Sequence, residues 1–507
     1  MANSTNDDDV RKPLDDPAAA PQIWRMDLDH DACYRALSLR DPRFDGRFFT
    51  AVKTTGIYCR PICPARTPRS ENVIFYPSAA AAQEAGFRPC LRCRPETAPD
   101  LGAWRGTSNT VSRALGLIEL GALDEADVDA LASRLGVGER QLRRLFRHHL
   151  GASPVAVAQT RRVLLAKQLI HETHLPMTEI AFASGFGSVR RFNETFRTLF
   201  DRPPGALRRA SGPDISAAQQ GEIVLKLRYH PPYDWPAMLA FLSRRAIPGI
   251  ERVTADRYWR SIGLDGAQGT VAVEFASGNA LRATIRFPKL SALPAIIARL
   301  RRVFDLAADP VAISAHLAQD PTLAPLVKAR PGLRVPGAWD GFELAMRAVL
   351  GQQITVAAAA RLAGKMVAAY GERLAAPDGE ITHVFPEPKA LAAADLATLG
   401  MPRARAAALS AVAAAAIADP HLFDATSNLE DAIRRLRSIK GVGEWTAQYI
   451  ALRQLREPDA FPAADIGLMR AIASHDGRAH SSAELLQRAN TWRPWRAYAA
   501  QHLWAAA

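Results

Sequence analysis

The sequence predicts a multidomain α+β chain, and three observations carry that reading. Its 507 residues exceed what one core holds and amount to about three to five domains of ordinary size. Two stretches read as linkers: residues 99–109 (PDLGAWRGTSN) and 211–220 (SGPDISAAQQ), rich in Gly, Ser, Pro, Asp or Gln between patterned segments. A softer boundary falls at 329–337 (ARPGLRVPG), ahead of a long helical pattern. The motifs also change character across these breaks, from paired cysteines to helix-turn-helix patterns to a glycine hairpin.

With 48% hydrophobic and 23% charged residues, the composition excludes disorder, collagen and coiled coil for the chain as a whole. Lys plus Arg is 64 against 51 for Asp plus Glu, a formal net charge of +13. A polyanionic partner is expected, with nucleic acid ahead of membrane. Residues 1–22 carry two basic and five acidic side chains and read as a disordered acidic tail. They lack the apolar core of a signal peptide. The longest apolar run, Ala406 to Ala418, is far short of the ~20 residues of a spanning helix. The expectation is a cytoplasmic protein without a membrane partner. Five cysteines in this length do not make a disulfide framework.

The first folded unit, 23–100, carries Cys59-x3-Cys63-x26-Cys90-x2-Cys93. Two short-spaced pairs joined by a loop are how a chain wraps a tetrahedral ion, each turn supplying two thiolates. Four thiolates and no histidine favour one Zn²⁺. Cys33 lies outside the spacing and reads as a packed thiol. Arg60, Arg66, Arg69, Arg88, Arg92 and Arg94 flank the cysteines. Four thiolates on Zn²⁺ have a formal charge of about −2 and stay nucleophilic, and arginines around them could hold a DNA phosphate.

The segment RDPRFDGRFFTAVKTTGIYCRPICPARTPRSENVIFYPSAAAAQEAGFRPCLRCRPE closely resembles the N-terminal domain of the Ada methylphosphotriester repair proteins. The resemblance implies that Cys59, the first cysteine, accepts a methyl group irreversibly from an alkylated DNA phosphate. Methylation would turn one thiolate into a neutral thioether, take the site from about −2 to −1, and raise DNA affinity. In that family the change produces a transcription activator of alkylation-repair genes.

The second unit, 110–210, holds two helix-turn-helix patterns. In DVDALASRLGVGERQLRRLFRHHLG, Val128, Leu131, Ala132 and Leu135 share a face, Gly136 to Gly138 turn, and Leu142, Leu145 and Phe146 face inward. Arg140, Arg143, Arg144 and Arg147 face out on a helix suited to a major groove. In MTEIAFASGFGSVRRFNETFRTLFDRPPGALRR, Phe192 and Phe196 pack inward and Arg190, Arg191 and Arg197 face out. The pair, joined by a helix around 155–169, resembles the AraC-type DNA-binding domain.

Further on, LEDAIRRLRSIKGVGEWTAQYI contains a glycine hairpin at Gly441-Val442-Gly443 between two helices. Its glycines permit close approach of a phosphate to main-chain N–H groups at the next helix start, and such hairpins often hold a monovalent cation. About twenty residues on, DAFPAADIGLMRAI places Asp465 at another helix start, where an N-cap is the bland alternative. Hairpin, Pro-containing loop and Asp follow the order found in helix-hairpin-helix DNA glycosylases, and residues 220–507 resemble AlkA, the 3-methyladenine glycosylase, almost end to end. LRYHPPYDWPAMLAFLSRRAIPGIERV matches its N-terminal sheet domain; ARPGLRVPGAWDGFELAMRAVLGQQITV and WRPWRAYAAQHLW match its helical core.

That resemblance implies Asp465 as the carboxylate that stabilises an oxocarbenium-like sugar. It implies Trp445, Tyr449 and Trp504 as the pocket for a flipped cationic base. The position of a strand-cutting lysine is Trp445, and Lys440 precedes the glycines, so a monofunctional enzyme without lyase activity is expected. The position of the family's leucine wedge is Gln353. The Pro-Cys-His-Arg signature of O6-alkylguanine methyltransferases is missing.

The units expected are the tail at 1–22, a small zinc-bound α/β domain at 23–100 and an all-α double helix-turn-helix domain at 110–210. A small antiparallel-sheet α+β domain follows at 220–330 and an all-α helix-hairpin-helix glycosylase domain at 331–507. The function expected is alkylation-damage repair and response, by a monomer acting on double-stranded DNA, with RNA polymerase as a further partner. The rivals are a regulator whose C-terminal half only binds DNA, and a glycosylase whose front half is a zinc-dependent targeting module.

Overall fold

The computed structural model describes residues 29–99, 109–208, 222–424 and 428–506. The expected acidic tail and nearly all of both linkers lie outside them.

Strands β1 (Phe49–Val52), β2 (Ile57–Cys59), β3 (Val73–Tyr76) and β4 (Arg88–Pro89) form a sheet in the order β3-β1-β2-β4. The β2–β4 pairing is parallel. Helices His30–Leu39 and Ala79–Glu84 flank it, capped by the side chains of Asp29 and Ser78. The apolar clusters of this unit are small: one gathers Phe49, Ala51, Tyr58 and Ala82, another Cys33, Ala36 and Phe48. Cys33 is thus a packed thiol, and burial pushes it up to about 11.

The helix-turn-helix region follows its sequence pattern closely. Val128–Arg134 turns at Gly136 into Glu139–Leu150, and Met177–Ala183 turns at Gly185 into Val189–Phe200. Side-chain caps from Asp127 and Ser188 fix two of the four starts. The helix Pro154–Glu172 joins the two units.

A five-stranded antiparallel sheet follows, in the order β5-β9-β8-β7-β6, from β5 (Glu222–Arg228), β6 (Glu251–Val253), β7 (Arg257–Leu264), β8 (Ala267–Ala276) and β9 (Ala280–Arg286). β5 alternates strictly between buried and half-buried residues, as a strand with one face on a core must. That core is continuous with the second helix-turn-helix unit: Phe192, Phe196 and Phe200 share it with Ile223, Leu225, Val271 and Leu300. The first unit keeps a separate core around Leu131, Leu142 and Phe146.

The C-terminal unit is helical, and its core extends to helices Pro310–Leu317 and Leu323–Ala329 through Ile313, Leu317, Leu323 and Val327. Packing therefore crosses the soft boundary at 329–337. A hairpin, β10 (Arg373–Asp378) with β11 (Ile381–His383), interrupts the helices and packs Leu374 and Ile381 against Trp259 of β7. Periodicity does not announce it, because both strands are short. No helix among the described residues is long and apolar enough to cross a membrane.

Candidate functional site

Three sites occupy the three functional units. In the first, β2 ends on Cys59, and the parallel register Tyr58↔Pro89 brings Cys90 beside it, its N–H donating to the Tyr58 carbonyl at 3.0 Å. A turn closed by Cys63 N–H to the Arg60 carbonyl (3.1 Å) adds the third sulfur, and the turn after β4 adds Cys93. The four sulfurs lie within 4.8 Å of one another. Main-chain N–H groups of Arg60 and Arg92 donate to Cys93 Sγ and Cys90 Sγ, each at 3.3 Å.

Thiols this close contend for protons. Hydrogen bonding with Cys63 and its neighbours pushes the Cys59 thiol far up, while bonding with Cys59 holds Cys90 far down. A dication that takes all four as thiolates removes that contention, so the donor set fits Zn²⁺. Cys59 is the most exposed of the four, at 9% against 6–7%.

The basic frame needs one correction. Arg60, expected at the DNA surface, is buried: its guanidinium pairs with Asp45 and donates to the Cys93 carbonyl (3.2 Å) and Thr97 Oγ1 (2.6 Å). It is a strut behind the cysteines, because the chain turns inward after β2. Arg66 is exposed, as are Arg69 and Arg92. Arg94 is tied to Glu96 and Glu172.

The sequence reading missed Lys167. Fully buried on the long helix Pro154–Glu172, its ammonium donates to the carbonyl of Cys90 at 2.9 Å and to Glu96 at 2.7 Å. A residue of the four-cysteine cluster is therefore bonded directly to the helix that joins the two helix-turn-helix units. The signal was a lysine inside the apolar run VLLAKQLI.

In the second site, Arg140, Arg143, Arg144, Arg190, Arg191 and Arg197 are all exposed on helices Glu139–Leu150 and Val189–Phe200. Arg143 and Arg190 also pair along their own helices with Glu139 and Glu194. Arg147 is exposed as well and pairs with Glu84 of the cysteine-bearing unit.

The third site is a cavity of about 870 Å³ between the sheet and the helical unit. The helix Glu444–Arg453 follows the hairpin and places Trp445 and Tyr449 one turn apart, their rings stacked at 5.2 Å and 11°. Trp504, on the C-terminal helix Arg496–Ala506, meets Tyr449 edge-on at 6.4 Å. Asp465 caps the helix Ile466–Asp476 through Leu468 N–H (3.0 Å) and also accepts from Trp445 Nε1 (2.7 Å) and Trp504 Nε1 (2.9 Å). The N-cap alternative and the cavity-facing one thus hold together.

Sequence reasoning also missed Arg453, buried at 2% exposure, whose guanidinium lies 4.8 Å from the Tyr449 ring centre and 5.4 Å from that of Trp504. Burial brings Arg453 down to about 10. Burial also pushes the Tyr449 phenol up, but the charges of Arg453 and Arg245 reverse that and leave it below the usual value.

At the hairpin, Gly441 has φ +88, and its carbonyl accepts from the Gln352 amide at 3.0 Å. Gln353 next door is exposed with φ +58, so the backbone is bent where the wedge was expected. A Cβ on Gly441 would sit 2.3 Å from that of Ala408. Gly441→Ala is therefore expected to cost about 1–2 kcal/mol for the left-handed backbone and about 1–3 more for overpacking. Gly443, with φ −86 and open space around its Cβ position, tolerates alanine in the fold. Thermal unfolding should separate the two variants by several degrees.

Family models match in chain order: the metal binding domain of Ada over 32–96, a helix-turn-helix domain over 131–210, the AlkA N-terminal domain over 224–340, and the HhH-GPD superfamily of base excision DNA repair proteins over 346–496. The probable bifunctional transcriptional activator/DNA repair enzyme AlkA of Mycobacterium tuberculosis is 42% identical over 481 residues, 94% of this chain and 97% of that protein. DNA-3-methyladenine glycosylase 2 of Escherichia coli is 36% identical over 285 residues, 55% of this chain and 95% of that protein. The structure of a 3-methyladenine DNA glycosylase from Archaeoglobus fulgidus aligns at TM-score 0.50 and 22% identity, over 56% of this chain and 97% of that one, which shows a shared fold.

Proposed function

The chain belongs to the family of bifunctional transcriptional activator/DNA repair enzymes of the AlkA type, and from that premise we propose how its residues divide the work. The protein is a DNA repair and response enzyme that joins an Ada-type zinc domain, a helix-turn-helix DNA-binding domain and a DNA glycosylase domain. The boundaries we assign are 23–100, 110–210, 220–330 and 331–507.

In the glycosylase reading, an alkylated purine of the 3-methyladenine class leaves the sugar with the electron pair of the C–N bond, which neutralises its positive charge. Asp465 stabilises the oxocarbenium-like sugar that remains, and water adds there with loss of a proton. Trp445, Tyr449 and Trp504 receive the flipped base, and Gln353 takes the place of the wedge. Hairpin N–H groups beyond Gly441 and Gly443 approach the phosphate backbone, with a monovalent cation on the remaining carbonyls. No lysine lines the cavity among the described residues, which supports base removal without strand cutting. The observation that carries this reading is Asp465 in the cavity, between two of the expected pocket aromatics.

In the sensor reading, Cys59, Cys63, Cys90 and Cys93 hold Zn²⁺, which when bound keeps the thiols deprotonated. The Cys59 sulfur bonds to the methyl carbon of a methylphosphotriester, the methyl C–O bond breaks, and a phosphodiester anion departs. Its place as the first cysteine of the Ada-type motif supports Cys59 as the acceptor. Arg66, Arg140, Arg143, Arg144, Arg190, Arg191 and Arg197 face DNA. Activation of transcription implies a contact with RNA polymerase, and we read the chain as a cytoplasmic monomer.

The test uses wild-type protein on two substrates: methylated duplex DNA for release of 3-methyladenine, and methylphosphotriester DNA for methyl uptake. Cys59→Ala should lose uptake and keep base release. No uptake by zinc-loaded wild type would end the sensor reading. No base release by folded wild type would leave a regulator whose C-terminal half binds DNA.

A further inference from the structure

The expected pocket rings have a second task that stacking does not explain. An indole N–H only donates, and a ring used only as a stacking platform can point it anywhere. Here two indoles, from helices Glu444–Arg453 and Arg496–Ala506, aim theirs at opposite oxygens of one carboxylate. Trp445 Nε1 reaches Asp465 Oδ2 at 2.7 Å, and Trp504 Nε1 reaches Oδ1 at 2.9 Å. Leu468 N–H adds a third bond on Oδ1 at 3.0 Å. Trp504 is not stacked on Tyr449, their planes crossing at 69°, as suits a ring set by its N–H.

The backbone leaves room for this arrangement. A Cβ on Gly467 would stand 3.0 Å from Asp465 Oδ1 and 3.4 Å from the Trp504 ring. A side chain there would press on the Asp465–Trp504 contact.

We propose that Trp445 and Trp504 are positioning residues, which clamp Asp465 from both oxygens and hold it as a fixed anion facing the sugar. The proposal rests on the reading of Asp465 as the carboxylate of the glycosylase. Three fixed donors aim at the carboxylate, so the clamped group faces developing positive charge without first rotating. One lone pair, on Oδ2, stays available to water.

The test replaces one indole at a time with 3-benzothienylalanine in the full-length zinc-loaded chain. That side chain keeps the bicyclic ring and puts sulfur where the N–H was. Single-turnover release of 3-methyladenine should fall roughly 10- to 100-fold for each, the worth of one hydrogen bond to a charged group. Affinity for methylated duplex should hold.

A variant with the wild-type rate would overturn the clamp, as would a slower one whose only defect is weaker DNA binding. Base release that survives Asp465→Asn would instead refute the underlying catalytic reading, before any indole is considered.

Discussion

Asp465→Asn is expected to lower release of 3-methyladenine from methylated duplex DNA by at least roughly 10³-fold, while the protein stays folded and binds DNA as before. Removing a single neutral donor from a site of developing charge costs roughly 10²–10³-fold, and here a full negative charge beside the sugar is lost. The variant is a fair test because asparagine caps helices as well as aspartate does, so the start of Ile466–Asp476, held now by Leu468 N–H, survives. Only one indole can still be satisfied: the amide oxygen that caps Leu468 N–H also accepts from Trp504, and the amide nitrogen faces the Trp445 donor. That mismatch is local and leaves the helical core, which centres on residues such as Leu409, Ile450 and Trp492, untouched. The measurement is single-turnover base release, with thermal unfolding and DNA affinity as controls. Release within 10-fold of wild type would remove Asp465 from the chemistry.

What was legible in the sequence follows from how local each signal is. The four cysteines declare themselves by spacing, since a turn that presents two thiolates needs only a few residues. The recognition helices declare themselves by the alternation of buried Leu142 and Phe146 with exposed Arg143 and Arg144. Asp465 with Trp445, Tyr449 and Trp504 came from resemblance, because residues about 20 and 40 apart have no period that links them. Contacts between units were not legible at all. Lys167 on the Cys90 carbonyl, the buried pair of Arg113 with Glu457, and Arg47 with Asp309 join segments 77, 344 and 262 residues apart, and a lone charge in a sequence does not say what it will meet. Arg60 shows the reverse error. Beside a cysteine it reads as part of a basic surface, yet Asp45, ahead of β1, draws it inward, and only the fold reveals that partner.

Removal of zinc is expected to unfold the unit at 29–99 and leave the glycosylase working. Structural zinc sites are worth about 10–16 kcal/mol at neutral pH, as much as the whole stability of an ordinary domain, about 5–15 kcal/mol. This unit has little else to rely on. Its two main apolar clusters gather four and three buried residues, its sheet strands are two to four residues long, and a single core this small rarely supplies more than about 3–5 kcal/mol without a metal or disulfides. The loss should reach the joining helix next. Cys90 and Glu96 are the partners of the buried Lys167 ammonium, so unfolding them strands a cation on the helix Pro154–Glu172, and breaking a buried pair costs about 3–5 kcal/mol. The helix-turn-helix units should therefore loosen with the zinc unit. The helical core around Asp465 draws on residues from Ile247 to Leu503 and none from the zinc unit, so base release should persist. Treatment with a strong chelator, followed by limited proteolysis and the two activity assays, checks each step. Cleavage should begin within 29–99 and reach 109–208, methyl uptake should vanish, and base release should remain. Full resistance of 29–99 after complete zinc loss would show that its apolar clusters suffice. Loss of base release would show that the repair half depends on the sensor for its fold.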